Sequence, residues 1–184
     1  MSVLKVKKEE AVLVAIDFQE KLMPVMKNKQ ELQEKMVKLV QGCRVLGLPI
    51  LTTQQYTKGL GETVAPIREA MEDQFLPIEK TSFSAMGEPA FVEALEKTGK
   101  RTVLLTGIEA HVCVQQTALD LLEQGYKVFL VVDAISSRDN NDKKYAQRRI
   151  SEAGAVGTTY EAVLFELVGG AREEGFKQIS AIVK

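Results

Sequence analysis

Short apolar runs, each stopped by a turn former or a polar residue, alternate along this chain with longer segments of helical period. Val12–Ile16 is an unbroken apolar run ending at Asp17, the pattern of a parallel strand covered on both faces. Glu31–Leu46 carries apolar residues at 32, 36, 39, 40, 43 and 46, one face of a helix, and Gly47 closes it. Pro49–Thr53 then reads as a second strand, Glu62–Met71 as a short helix, and Phe75–Glu79 as a strand ending at Lys80. Pro89–Lys97 is a helix with proline in its first turn and Gly99 as its stop. The alternation continues through strand Thr102–Thr106, helix His111–Gln124, strand Lys127–Val132, helix Asp142–Ala153 and a weaker strand, Ala155–Thr159. Helices Glu161–Val168 and Phe176–Val183 complete it. Strict strand–helix alternation predicts an α/β fold, a doubly wound parallel sheet with helices on both faces. With no linker or repeat, residues 1–184 read as one domain, and 54–61 and 133–141 as its main irregular loops.

Charge narrows the partners. A formal net charge of -1 gives no footprint for nucleic acid or an anionic membrane. The stretch Met1–Glu10 lacks the apolar run and cleavage site of a secretory leader. Cys43 and Cys113 stand far apart and suit reduced thiols better than a disulfide scaffold. The expectation is a cytoplasmic protein with a small-molecule partner, no nucleic acid and no membrane.

Ligands of open α/β sheets bind beyond the carboxyl ends of the strands. That rule selects Asp17 with Phe18 and Gln19, Gln54 to Tyr56, Lys80 to Phe83, Gly107 to Cys113, and Asp133 to Arg138. Three of these groups contribute a carboxylate, an ammonium and a thiol. Cys113 falls where a strand's loop enters a helix, where the helix dipole and a nearby lysine would depress the thiol and favour the nucleophilic thiolate. From position alone the alternative is a small buried hydrophobe, which is what most free cysteines are. Asp17 is a proton acceptor or a loop hydrogen-bonder, and Lys80 a pocket cation or a solvated side chain. Backbone amides from Gly107 to Val112 would face developing negative charge. His111, two residues before the thiol, diverges from it in direction and reads as a wall or structural residue. Cys43, mid-helix on the apolar face, reads as core.

Ala15-Ile-Asp17-Phe-Gln19, Lys80-Thr-Ser-Phe-Ser84 and Thr106-Gly-Ile-Glu-Ala-His-Val-Cys113-Val-Gln-Gln-Thr117-Ala together resemble the isochorismatase-like cysteine hydrolases. Gln54 to Gly61 and Asp133 to Arg138 are most similar to the isochorismatase domain-containing subgroup. The resemblance implies a Rossmann-like sheet of six strands in the order 3-2-1-4-5-6, with Asp17, Lys80 and Cys113 converging at strand ends. It implies that Asp17 accepts the Cys113 proton, that Lys80 stabilises the thiolate, and that an acyl-enzyme forms and is hydrolysed. It also implies a cis peptide at Ile108–Glu109, which would aim the Glu109 amide, beside that of Cys113, at the oxyanion. Phe18, Gln19, Gln54, Tyr56, Phe83, His111 and Arg138 are then candidates for the pocket wall, and a homo-oligomer, dimer or larger, is expected.

Departures from the family pattern narrow the chemistry. The metal-binding branch carries histidines after the second strand, where this chain has Gln54-Gln55-Tyr56. No metal and no cofactor are therefore expected. Retention of Cys113 argues for acyl transfer at a small amide or related carbonyl rather than vinyl-ether hydrolysis. The alternative is an oligomeric binding or scaffold protein that keeps the fold without turnover. A sulfenic-acid sensor lacks a nearby resolving cysteine.

Overall fold

A computed structural model of the chain describes residues 5–184. The first four residues of the stretch read as lacking a leader lie outside the described part. Six strands, β1 (Ala11–Ile16), β2 (Ile50–Gln55), β3 (Pro77–Lys80), β4 (Thr102–Ile108), β5 (Lys127–Ser136) and β6 (Val156–Thr158), form one sheet in the order β3-β2-β1-β4-β5-β6, and every pairing is parallel. Among the described residues eight α-helices accompany it: α1 (Lys29–Val45), α2 (Thr57–Leu60), α3 (Ala65–Met71), α4 (Pro89–Lys97), α5 (Gln115–Glu123), α6 (Asn140–Glu152), α7 (Tyr160–Val168) and α8 (Phe176–Val183).

The unbroken apolar run of β1 is explained by two cores. Ala11, Leu13 and Ala15 point into one with α1, α3, α7 and α8, while Val12, Val14 and Ile16 point into the other with α4, α5 and α6. A strand at the centre of such a sheet has no wet face, so period-two polarity disappears. On α1, Leu32, Met36, Leu39, Val40 and Cys43 form the buried stripe that the spacing predicts. Burial alone pushes the Cys43 thiol up to about 12.

Three stretches differ from the sequence expectation. β5 does not stop at Val132 but continues to Ser136, after a register shift opposite Leu105–Gly107. Residues 133–136 are thus strand rather than loop, and Asp133 Oδ1 accepts from the Tyr160 amide at the start of α7, 2.8 Å away. The helix expected from His111 begins instead with a π-helical turn, Ala110–Val114, before α5. Residues 54–61 likewise contain the end of β2 and the single-turn α2.

Candidate active site

β1 ends at Ile16, and Asp17 takes a left-handed backbone conformation (φ 54°), which turns the chain sharply out of the sheet. Aspartate tolerates that region better than most residues, and it recurs at functional positions. Neighbouring β4 reaches Gly107, paired with Ile16, at φ 137°. A β-carbon there would collide with the Ile16 backbone, so the two strands meet closely only because residue 107 is glycine.

Asp17 and Lys80 are both fully buried, and Lys80 Nζ lies 2.9 Å from Asp17 Oδ2. An ammonium has three hydrogens to donate. Those of Lys80 go to Gln55 Oε1 at 2.6 Å, Phe83 O at 2.9 Å and Ser82 O at 3.0 Å. Thr53 Oγ1 donates to Asp17 Oδ1 at 2.8 Å. Oδ2 is left close to the ammonium charge yet receives no aligned hydrogen bond. The contact is electrostatic, and a lone pair on Oδ2 remains open.

Cys113, in the π-helical turn, is only 6% exposed and lies near enough to Asp17 and Lys80 for both charges to act on its thiol. The sequence predicts a depressed thiol; the structure reverses the direction. Burial foremost, then the charge of Asp17, push Cys113 up to about 12; Lys80 pulls it down but is outweighed. The resting group is a neutral thiol beside an intact carboxylate–ammonium pair.

The turn carrying Cys113 is clamped from β5. The Ile108–Glu109 peptide is cis. Glu109 O accepts from the Val112 and Val114 amides. Its carboxylate accepts from the Arg138 amide at 3.0 Å and from Arg138 Nε at 3.1 Å. His111 Nδ1 shares a 2.9 Å hydrogen bond with Ser137 Oγ and holds the same two segments together. The extension of β5 to Ser136 is what brings Ser137 and Arg138 here.

Not all of the expected wall residues face a pocket. Phe18 is 1% exposed within the α1/α3 core, because the turn at Asp17 folds its ring inward; it is a packing residue. Gln19 donates to Gln55 O and Gly61 O and accepts from the Gln55 amide. Gln54 accepts from Thr63 N and Oγ1 and donates to Thr57. Both amides hold the loop after β2. Tyr56 and Phe83 are more than half exposed at the same end of the sheet. Thr53, absent from the sequence-based set, and Gln55, which it contained only within the run Gln54 to Tyr56 and not as a site candidate, touch the charged pair directly. Their signal lay in register: parallel pairing puts Gln55 opposite Lys80 and Thr53 opposite Ile16. Among the described residues no group of three or more His, Cys, Asp or Glu side chains is placed to hold a metal ion. No helix described is long and apolar enough to cross a membrane.

Comparison with known proteins agrees with this architecture. Isochorismatase domain-containing protein 1 of Salmo salar is 39% identical over 173 residues; the match takes in 94% of this chain and 60% of that protein, so the chain spans less than two thirds of its length. The structure of MAR1 ribonuclease from Caenorhabditis elegans superposes with a TM-score of 0.91 at 39% identity, covering 97% of this chain and 92% of that one. YcaC from Pseudomonas aeruginosa, with hexane-2,5-diol and covalent acrylamide, gives 0.92 at 26% identity, covering 99% and 93%. The isochorismatase domain itself matches residues 11–162, from β1 into α7. The chain belongs to the isochorismatase domain family, in the group of the isochorismatase domain-containing proteins.

Proposed function

We propose that this protein is a cysteine hydrolase of small amides or related carbonyl compounds, with Cys113 as nucleophile, Asp17 as base and Lys80 as the fixed positive charge. The observation that carries the reading is the open lone pair of Asp17 Oδ2, buried beside a neutral thiol and held by a lysine whose hydrogens go elsewhere.

As Sγ attacks the carbonyl carbon, the S–H proton moves to Oδ2, and the carbonyl π pair moves onto oxygen. Lys80 keeps its charge beside both sulfur and carboxyl throughout, so the site never carries a bare buried anion. The amides of Glu109 and Cys113 are the proposed donors to the oxyanion. Collapse returns the electron pair to the carbonyl and breaks the C–N bond. The protonated Asp17 delivers its hydrogen to the departing nitrogen, leaving a thioester on Cys113. Asp17 then takes a proton from water as that water attacks the thioester; the carboxylic acid leaves and the thiol is restored. The step needs no metal, and the amides after β2 are engaged with Thr57, Thr63 and Lys80. The covalent acrylamide on the Pseudomonas relative is what a reactive thiol in this fold would produce. Two free cysteines, one sealed in the core, suit a reducing cytoplasm. Exposed Tyr56, Leu76, Phe83 and Tyr145 suit assembly into a homo-oligomer.

The test is a screen of small amides, ureides and esters with wild-type and Cys113→Ala protein. Turnover that vanishes in the variant, with a Cys113 acyl adduct seen by mass spectrometry, supports the reading; turnover that survives it sinks the reading. RNA belongs in the same screen because of the nematode relative's name. Cleavage indifferent to Cys113→Ala would place any such chemistry outside these three residues.

A further inference from the structure

We infer that Gln55 is a positioning residue of this site, one that keeps Lys80 from quenching the base. The inference rests on Asp17 receiving the thiol proton, as proposed above. Lys80 Nζ stands 2.9 Å from Asp17 Oδ2 without the alignment of a hydrogen bond, and three other oxygens, those of Gln55, Ser82 and Phe83, accept from it instead. Two of these, Ser82 O and Phe83 O, are backbone and fixed by the turn after β3. The third and shortest contact, 2.6 Å, is to the Gln55 side chain. Removing that oxygen alone frees one N–H, and the nearest unsatisfied acceptor is Asp17 Oδ2.

The glutamine is held to this task by its surroundings. Its Nε2 donates to Thr81 O at 2.9 Å, which fixes the oxygen end toward Lys80. Its backbone N–H donates to Gln19 Oε1 at 2.7 Å and its carbonyl accepts from Gln19 Nε2 at 2.9 Å. Gln19 therefore locks the Gln55 backbone from the turn that also sets Asp17. A chain of contacts runs from the β1 turn to Gln55, then to Lys80, and returns to Asp17. A carboxylate that gained a charge-assisted hydrogen bond from Lys80 would hold the thiol proton less well, and transfer from Cys113 would slow.

Two variants of equal length separate this role from simple packing. Gln55→Met fills the space without an oxygen; Gln55→Glu restores an oxygen acceptor for Lys80. The readout is iodoacetamide alkylation of Cys113 between pH 6.5 and 8.5, followed by mass of the Cys113 peptide, with Asp17→Asn measured in parallel and the fold checked by circular dichroism. Gln55→Met is expected to slow the pH-independent alkylation about tenfold or more, the effect of one charge-assisted hydrogen bond on the base, and Gln55→Glu to recover most of it. A Gln55→Met protein that alkylates at the wild-type rate, while Asp17→Asn loses it, overturns the positioning role alone. An Asp17→Asn protein indistinguishable from wild type overturns the reading of the base, and this inference with it.

Discussion

Replacing Lys80 by methionine removes one half of a fully buried ion pair, and its cost can be worked from the geometry. At 2.9 Å and an effective dielectric of about 20, the attraction between Lys80 and Asp17 is ~6 kcal/mol before desolvation is set against it. The measured cost of deleting one partner is dominated by the charge left behind, about 3–5 kcal/mol. Lys80→Met also leaves Gln55 Oε1, Ser82 O and Phe83 O without their donor, while the aliphatic stem is largely preserved. The single variant should therefore lose about 4 kcal/mol in urea unfolding at neutral pH. Asp17→Asn combined with Lys80→Met buries no net charge and should regain at least half of that loss, so the double-mutant cycle should be strongly non-additive. Additive losses, or a Lys80→Met cost below about 1 kcal/mol, would refute the claim that a desolvated pair anchors the site.

The same geometry sets three further outcomes. Cys43 is pushed from the ordinary 9.0 up to about 12 by burial; because the folded value lies above the unfolded one, its contribution is complete below about 9 and is lost as pH rises toward 12. Each such thiol should steepen the alkaline fall of stability by about 1.4 kcal/mol per pH unit, and Cys43→Ala should remove its share in urea midpoints taken from pH 8 to 11. Gly107→Ala places a β-carbon against the Ile16 backbone and should cost about 2–3 kcal/mol, with Cys113 reactivity disturbed even where the protein still folds. Thr53→Val removes the donor to Asp17 Oδ1, which should cost about 1–2 kcal/mol and slow Cys113 alkylation; an unchanged rate would mean that Asp17 is held by Lys80 alone.

The parallel sheet and both cores were legible because a doubly wound sheet writes itself in apolar runs without alternation, as in Val12–Ile16, and in stripes such as Leu32–Met36–Leu39–Cys43; the strand order came only with the family resemblance. The placement of Asp17, Lys80 and Cys113 at one end of the sheet was legible because Asp17 directly follows β1, Lys80 closes β3 and Cys113 trails β4. The rest depended on register and local hydrogen bonding, which a one-dimensional pattern does not carry. Gln54 and Gln55 are adjacent and chemically identical, yet strand parity gives one to Thr57 and Thr63 and the other to Lys80. Phe18 follows the site aspartate, but the left-handed turn sends it into the core. The direction of the Cys113 shift was misread for a quantitative reason: helix position and Lys80 favour the thiolate, whereas burial and the charge of Asp17 oppose it and prevail. The extension of β5 to Ser136, which supplies the clamp on Glu109 and His111, follows a register shift that no periodicity announces.

The central claim is that the Cys113 proton goes to Asp17 rather than to solvent, and the pH dependence of Cys113 alkylation tests it most directly. With burial and the Asp17 charge holding the thiol well above its ordinary range, release to solvent leaves little of it ionised at pH 7, and that fraction rises tenfold per pH unit. Transfer to Asp17 is internal and consumes no hydroxide. The account predicts a wild-type iodoacetamide rate that is level between pH 6.5 and 8.5, against a climb of about a hundredfold for Asp17→Asn over the same range. A wild-type rate that climbs tenfold per unit in step with Asp17→Asn would contradict it.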